Sequence, residues 1–398
     1  MSDFPKLLVA TEFPPNVPGG GGAIVRQMLK DWPVEKLFWW SCEPDKNRQY
    51  GQLVAAHAVA AIPPRLYPNK RGRVLKSWLL ENGWRPWAAR HFEKTVAAFQ
   101  PDVIWMIPHL WSIPALAGVL LRRHFPFHFS IYDYPDTNPA INAFGPKRCR
   151  RWAGQTDQLY LHATTRDTIS QQMTDDLRTR TGVNGMISRA GLEQEDFDYL
   201  SGKNETRNDS IRIAYAGTVI SEKSFEIFVK ALGRVRNQLP LPLTLDFFGD
   251  HSYRSRAWFD GAWMKEYGNL AGPELSRALK ECTWGFLPMD LTDDNPRYNR
   301  FSLPTKLVSY LAAGLPVISL GHPESTVVKM TSKYQVGLCA TESNLEPLGK
   351  KLQTALSEPD PKTKFLPEIK RCASEEFDAR RIRAALHENF RKCASIRR

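Results

Sequence analysis

Short apolar runs recur along the chain, and most are followed by a turn and a segment with helical spacing. Such runs are typical of strands buried on both faces of a parallel sheet, and their alternation with helices indicates βαβ units. The sequence therefore predicts doubly wound α/β sheets. The runs lie at Lys6–Ala10, Leu37–Trp40, Val103–Ile107, Phe127–Tyr132 and Tyr160–Thr164, and then at Ile211–Tyr215, Leu243–Phe248, Trp284–Pro288 and Pro316–Leu320.

A polar segment without periodicity, residues 201–209, separates these two series of runs. The chain has 398 residues, and chains of this length usually divide into two domains. We therefore expect one Rossmann-like domain over residues 1–200 and a second over residues 201–375. The basic, helical tail, residues 376–398, is predicted to pack back on the first domain.

Composition limits the cellular setting and the partners. The net charge of +12 favours a polyanionic partner, and six scattered cysteines without metal-ligand spacing indicate free thiols in a reducing compartment. The N-terminus lacks the pattern of a signal peptide, and the longest apolar runs are too short to span a bilayer. We expect a cytoplasmic protein whose membrane contact, where present, is peripheral.

Four glycines, Gly19–Gly22, follow the first run and open a helix. Glycines at a helix N-terminus let backbone N–H groups approach an anion, which makes Gly20 and Gly21 candidate ligand-binding residues. The spacing matches neither the P-loop nor the dinucleotide-binding fingerprint. The alternative is a flexible surface loop.

The second half of the chain repeats this arrangement. Gly217 and Thr218 form a small-residue turn after a predicted strand, Lys223 follows at a helix start, and Gly249 ends the next strand. A turn of this kind with a lysine is suited to holding a diphosphate. For Lys223, a solvated surface lysine is an equally good interpretation.

The segment 301–318 carries the most specific pattern. Pro304 opens a helix whose first turn contains Thr305 and Lys306, Gly314 ends that helix, and a buried strand begins at Pro316. A helix N-terminus, hydroxyl groups and a lysine together make a good phosphate site.

This segment resembles the C-terminal signature of GT-B glycosyltransferases, especially family 4 and relatives that build bacterial surface polysaccharides. The resemblance implies two Rossmann-like domains facing across a cleft. The first would bind a saccharide or lipid-linked acceptor, and the second a UDP- or GDP-linked sugar donor. It also implies metal-independent transfer without a cofactor. Further pieces in the same order are Phe13–Pro15 with the glycine run, Ala190–Phe197, Tyr215–Thr218, Phe248–Asp250 and Ala271–Pro288.

The chain departs from family 4 at the two glutamates that flank and enter this helix, because Phe301 and Ser309 stand in their places. The ribose-binding glutamate is thus missing. Glucuronosyltransferases of xanthan synthesis also look similar here. By that resemblance Lys306 contacts the donor diphosphate, and Tyr298, Ser302 and Thr305 lie nearby.

An inverting transfer needs a base that takes the proton of the acceptor hydroxyl. By the same resemblance the base lies in the loop after Phe127–Tyr132, where Asp136 is the closest match and Asp133 the second. An Asp beside a Pro often only caps backbone N–H groups. His109 is a candidate to bind the sugar or the leaving oxygen, although a histidine at a strand end is often structural. No cluster of residues suggests a metal.

Between Pro63 and Lys94, eight basic residues stand against two glutamates, and three tryptophans lie among them. Lysine, arginine and indole together favour an anionic membrane surface, where lipid-linked acceptors lie. The same composition suits single-stranded nucleic acid, and it also suits a solvated helix pair with buried tryptophans. We favour the membrane and expect no nucleic-acid partner.

The sequence thus predicts a glycosyltransferase of bacterial surface polysaccharide or glycoconjugate synthesis. One alternative is a sugar-nucleotide epimerase on the same fold, which acts on the donor without an acceptor. Another is a non-catalytic basic protein that binds membrane or nucleic acid through charge and loses that binding in salt.

Overall fold

A computed structural model divides the chain into two compact units. The first comprises Met1–Ala190 with Ala379–Arg398, and the second comprises Gly191–Asp378. The polar segment 201–209 lies within the second unit, and residues 203–208 of it are outside the described part. The described residues are 4–17, 20–46, 53, 55–67, 72–123, 125–137, 141, 143–202, 209–270 and 272–396.

The first unit is built on a parallel sheet in the order β3-β2-β1-β4-β5-β6-β7. β1 lies between β2 and β4, with Leu7 opposite both Leu37 and Val103. Because all pairs are parallel, the carboxyl ends of the strands meet at one edge. The strands are β1 (Leu7–Ala10), β2 (Leu37–Ser41), β3 (Ala56–Val59), β4 (Val103–Met106), β5 (Phe127–Ile131), β6 (Thr165–Thr168) and β7 (Met186–Ile187).

Helices cover this first sheet. The last helix of the chain is among them: His387 Nε2 lies 2.8 Å from the Met28 carbonyl oxygen, and the Phe390 ring packs against Trp105 and Trp32. The helices are Gly20–Met28, Arg73–Leu79, Arg85–Phe99, Ser112–Arg123, Pro146–His162, Gln171–Thr181 and Ala379–Ser395, with single turns at Val34–Lys36 and Pro64–Leu66 and a wide π-type turn at Leu80–Trp84.

The second unit has a parallel sheet in the order β10-β9-β8-β11-β12-β13. Its strands are β8 (Ile211–Ala216), β9 (Leu243–Phe248), β10 (Met264–Glu266), β11 (Trp284–Pro288), β12 (Val317–Leu320) and β13 (Gly337–Ala340). Its helices are Gln194–Ser201, Glu222–Val235, Gly272–Lys280, Pro296–Phe301, Thr305–Ala312, Thr326–Tyr334, Leu345–Leu356 and Pro361–Glu376, with a short turn at Arg236–Gln238.

Aromatic packing makes the core of the second unit rigid. Phe228 stacks on Phe286 with ring centroids 3.5 Å apart, and Phe225 contacts both Phe286 and Tyr215. All of these side chains are buried. The Tyr215 ring is therefore held in one position at the end of β8.

The α/β fold with two parallel sheets is confirmed, but one predicted strand is wrong. Tyr160 belongs to the helix Pro146–His162, whose buried side chains recur at helical spacing, and the strand begins later, at Thr165. The apolar run that we took for a strand is the last turn of an amphipathic helix. The four edge strands were missed, because they are short and most of their side chains are not fully buried. They are Ala56–Val59, Met186–Ile187, Met264–Glu266 and Gly337–Ala340.

Candidate functional site

Lys306 lies in the first turn of the helix Thr305–Ala312, beside the turn that follows β8. Its ammonium nitrogen donates a hydrogen bond to the Tyr215 hydroxyl (3.0 Å) and lies 4.2 Å from the centre of the Tyr215 ring. Burial lowers the pKa of Lys306 to about 7. No described carboxylate forms an ion pair with it. Among the described residues, this partly desolvated cation thus has a tyrosine hydroxyl rather than a carboxylate as its partner.

Three tyrosines brace the turn at Ala216–Val219. The Tyr215 hydroxyl donates to the Thr218 carbonyl oxygen (2.8 Å), and the Ala216 N–H donates to the Tyr310 hydroxyl (2.9 Å). The Val219 N–H donates to the Tyr253 hydroxyl (2.9 Å). Since Tyr310 belongs to the helix that carries Lys306, these bonds link the turn rigidly to the lysine.

The two glycines predicted here have a steric role. Gly217 has φ +87°, in the left-handed region, and its N–H donates to the Phe248 carbonyl oxygen at 2.7 Å. A Cβ atom on Gly249 would lie 3.2 Å from the Gly217 carbonyl oxygen. Glycine at 249 therefore lets the ends of β8 and β9 approach closely.

The remaining residues that were predicted to bind the sugar donor differ in how closely they are associated with this turn. The Thr218 hydroxyl lies 3.2 Å from His251 Nδ1, and the Tyr298 hydroxyl lies 3.4 Å from that of Ser221, just beyond the turn. Ser302 and Thr305 are half-buried beside Lys306 in the chain. Lys223 is exposed, and its side chain makes no contact that joins it to this group of described residues. The structure thus brings Gly217, Thr218, Gly249 and Lys306 together.

The carboxyl edge of the first sheet is acidic. The Glu12 carboxylate is buried directly after β1, and its Oε2 accepts the Trp111 N–H at 2.7 Å. The same oxygen lies 3.7 Å from His109 Nδ1. Burial acts to lower the pKa of His109, but Glu12, Asp133 and Glu43 together raise it above its ordinary value.

The two candidate bases have different surroundings. Asp133 is exposed and is close enough to His109 to contribute to its raised pKa. Asp136 is half-buried and acts instead on Cys149 of the helix Pro146–His162, where it adds to the effect of burial in raising the thiol pKa. Of the pair, only Asp133 shows this coupling to His109 among the described contacts.

Gly20 and Gly21 form the first turn of the helix Gly20–Met28, while Gly19 lies outside the described residues. A Cβ atom on Gly20 would meet nothing within 4 Å, and one on Gly21 would be in ordinary contact with Phe13. On Gly22 it would lie 2.3 Å from Val17 Cγ1, so packing requires glycine at 22. At Gly20 and Gly21 packing therefore leaves room for a side chain, and only the positive φ of Gly20, +44°, favours glycine there.

The structure also bears on metal binding and on the state of the cysteines. In the part of the chain that the structure describes, no group of His, Cys, Asp or Glu side chains is placed to hold a metal ion. All six cysteines are free thiols, and most are buried.

Sequence reasoning missed three residues that organise these two edges. They are Tyr215, which orients Lys306, and Glu12 and Glu43, which surround His109. Glu12 lies in the Thr11–Pro15 segment right after the first predicted strand, a position where ligands of such sheets bind. The position of Glu12 after this strand was therefore the sequence signal that could have identified it.

No protein-family model matches the chain, and a search of curated proteins finds no match. Solved structures do match over nearly the whole length. HepE from Anabaena, in complex with UDP and glucose, is 13% identical with a TM-score of 0.67, covering 97% of this chain and 99% of that one. Sucrose-phosphate synthase from Thermosynechococcus elongatus is 14% identical with a TM-score of 0.71, covering 98% and 100%.

The Escherichia coli trehalose-6-phosphate structure bound to UDP-2-fluoroglucose is 11% identical, with a TM-score of 0.63 and coverage of 96% and 98%. These three proteins share the two-sheet architecture described above. At such low identity the similarity concerns the fold, as the resemblance in the sequence predicted. The chain therefore has the GT-B fold, with two Rossmann-like parallel sheets.

Proposed function

We propose that the protein is a glycosyltransferase that moves a sugar from a UDP- or GDP-linked donor to a saccharide or lipid-linked acceptor. The observation that carries the proposal is Lys306, a partly desolvated cation at a helix N-terminus with which no described carboxylate forms an ion pair. Burying such a charge is costly, and a bound diphosphate repays that cost. Structural neighbours bound to UDP and to a UDP-sugar support this choice of ligand.

In this proposal the second unit binds the donor. Lys306, the Thr218 hydroxyl and the first-turn N–H groups at Thr305 contact the diphosphate. Tyr298 and Ser302 contact the rest of the nucleotide sugar, and Lys223 acts from the exposed rim. Gly217 and Gly249 shape the turn beside the diphosphate, since Gly217 has a positive φ and Gly249 lets the ends of β8 and β9 approach closely. No metal or cofactor takes part.

We place the acceptor on the first unit. A base takes the proton of the acceptor hydroxyl, whose oxygen bonds to the anomeric carbon as the bond between that carbon and the diphosphate breaks. We propose Asp133 as this base rather than Asp136, because Asp133 is exposed and its charge acts on His109. His109 donates to a substrate oxygen, and the N–H groups at Gly20 and Gly21 receive an anionic part of the substrate.

We also propose that the first unit contacts an anionic membrane. None of the described helices is both long and apolar enough to cross a bilayer. On the helix Arg73–Leu79, however, Val74, Leu75 and Trp78 are 83%, 63% and 58% exposed, and Trp87 on the next helix is 47% exposed. Arg73 and Lys76 lie among these apolar side chains. This apolar-basic surface suits the headgroup region, where a lipid-linked acceptor would lie.

A thermal-shift screen tests the donor site. A ligand that binds only the native state raises its Tm by mass action. We expect a clear shift with UDP or GDP and their sugars, and little with ADP or CMP. Transfer is then assayed with the matching sugar nucleotide. The absence of any shift at millimolar ligand would contradict the proposal and favour a charge-driven binder, whose binding collapses in salt.

If a nucleotide sugar binds and changes without any acceptor, the activity is that of an epimerase. Product analysis by NMR separates the two reactions, because epimerisation leaves the nucleotide attached whereas transfer releases the diphosphate. The exposed apolar-basic surface favours transfer, since an epimerase of soluble sugar nucleotides has no use for a membrane.

A further inference from the structure

Glu12 is a buried carboxylate held by backbone N–H groups. Only 2% of the residue is exposed, directly after β1 at the carboxyl edge of the first sheet. Its Oε2 accepts the Trp111 N–H (2.7 Å) and lies 3.4 Å from the Ser112 nitrogen, at the start of the helix Ser112–Arg123. A buried carboxylate is costly unless such donors hold it, so these contacts keep Glu12 in place.

The turn that Glu12 holds is strained. Leu110, between His109 and Trp111, has φ +34°, which is unfavourable for a residue with a branched side chain. Ser112 closes the turn, because its hydroxyl donates to the His109 carbonyl oxygen (2.7 Å) and accepts from the His109 N–H (3.0 Å). The surrounding bonds thus impose a conformation that the chain would not adopt alone, and that conformation presents His109 at the sheet edge.

The imidazole of His109 has an acidic face and an open face. Glu12 from the end of β1, Glu43 from the end of β2 and Asp133 from the end of β5 supply the charges that act on it, and Tyr67 contacts Glu43. Glu12 is the nearest, at 3.7 Å from Nδ1, while 43% of the His109 side chain remains exposed. With Nδ1 directed at Glu12, Nε2 is the nitrogen left for a substrate.

We infer that Glu12 is a positioning residue that holds His109 as an imidazolium, whose Nε2–H donates to a substrate oxygen. This inference rests on the proposed function. It gives His109 and the catalytic base different roles at the carboxyl edge of the first sheet. A doubly protonated histidine cannot take a proton, so His109 supplies charge while a carboxylate acts as the base. Glu12 does not touch the substrate and acts only through the turn and the imidazole.

The test is an NMR titration of the full-length protein with labelled histidine rings. The chain has nine histidines, and the signal that disappears in His109→Gln identifies the one of interest. We expect His109 to titrate above the ordinary value of about 6.5. Glu12→Gln keeps an oxygen that accepts the Trp111 N–H but removes the charge, so the pKa of His109 should fall. Glu93→Gln serves as the control, because it removes a carboxylate paired with Arg123 on the surface. It should leave the pKa of His109 unchanged.

Activity gives the second measurement. Because the imidazolium is the active form, kcat/KM of the wild type should decline as pH rises through the pKa of His109. In Glu12→Gln this decline should begin at lower pH, a shift that a merely structural role would not cause. At neutral pH the variant should lose about tenfold or more in kcat/KM, the size of a lost charged hydrogen-bond donor.

The inference is overturned if His109 of the wild type titrates at or below the ordinary value, a result that needs no variant of Glu12. It is also overturned if folded Glu12→Gln leaves the His109 titration unchanged. Both results can be read without any transfer activity. Failure of the proposed function would appear separately, as a wild type that binds no nucleotide sugar.

Discussion

The carboxyl edges of the two sheets have the same geometry and opposite chemistry. In the second unit, Lys306 lies against Tyr215, and no described carboxylate forms an ion pair with it. In the first unit, the charges of Glu12, Glu43 and Asp133 act on His109. Glu12, His109 and Asp133 follow the ends of β1, β4 and β5, and Lys306 lies on a helix beside the turn that follows β8. Strand topology alone therefore does not distinguish the two edges.

In the proposed function, this difference lets one architecture bind two substrates. Parallel strands bring their following turns to one edge, and the side chains in those turns decide the charge found there. An unpaired, partly desolvated cation is suited to an anion such as a diphosphate. Carboxylates around a histidine are suited to moving a proton and to binding hydroxyl groups. The following predictions test this contrast, from the largest expected effect to the smallest.

The first prediction concerns the acidic edge. Asp133→Asn should lower kcat by about 10²–10⁴-fold, the usual contribution of a general base, while nucleotide affinity stays within about twofold of the wild type. Asp136→Asn is the matched variant and should retain most of the turnover. Rates from single-turnover transfer assays and affinities from calorimetry separate the two effects. The reverse result would move the base to Asp136.

The second prediction concerns the cationic edge. Lys306→Met keeps an apolar stem over the Tyr215 ring but removes the charge, so affinity for the nucleoside diphosphate should fall by about tenfold or more. Lys223→Met removes an exposed lysine from the same unit and should cost less than about threefold. Equal losses in both variants, measured by calorimetry, would mean that general charge, rather than the Lys306 site, attracts the nucleotide.

The third prediction concerns pH. Burial lowers the pKa of Lys306 to about 7, so the free protein loses this charge as pH rises through that value. Affinity for the nucleoside diphosphate should therefore weaken several-fold between mildly acidic and mildly alkaline solution. Lys306→Arg stays charged throughout and corrects for ionisation of the ligand. A wild type that follows the arginine variant at every pH would show that Lys306 remains charged.

The smallest effect is expected at the apolar-basic surface. Replacing Leu75 and Trp78 together by serine should weaken binding to phosphatidylglycerol vesicles several-fold, because the apolar part of the contact is lost. Val34→Ser changes another exposed apolar residue of the first unit and is the control. Sedimentation with vesicles measures both. Wild-type protein that ignores these vesicles would remove the membrane from the proposal and leave the nucleotide site intact.

The two edges also differed in how far sequence reasoning reached. Lys306 and Gly217 were predicted because a lysine at a helix start and a small-residue turn after a strand are local patterns. Tyr215 was missed as a partner of Lys306, since 91 residues separate them and only packing of the helix Thr305–Ala312 brings them together. Local patterns indicate which residue carries a charge, but they do not show what lies beside it.

The acidic edge depends on such distant pairs even more. Glu12 lies 99 residues before Trp111, whose N–H it accepts, and no spacing rule joins the two. The same limit explains Tyr160. An apolar run at a helix end resembles a short strand unless it is considered together with the buried side chains of the preceding helical turns. By contrast, the strands Leu243–Phe248 and Trp284–Pro288 were predicted with the correct bounds, since nearly all of their side chains are buried.

The sequence by itself determined the α/β class, most of the strands, and the residue types that follow them. These properties depend on hydrophobic periodicity and on glycine and proline, which act over a few residues. Only the tertiary structure decided that Lys306 meets Tyr215, and that Glu12 accepts the Trp111 N–H and lies beside His109. Burial and charge at a site are sums over neighbours from distant parts of the chain, and folding alone chooses those neighbours.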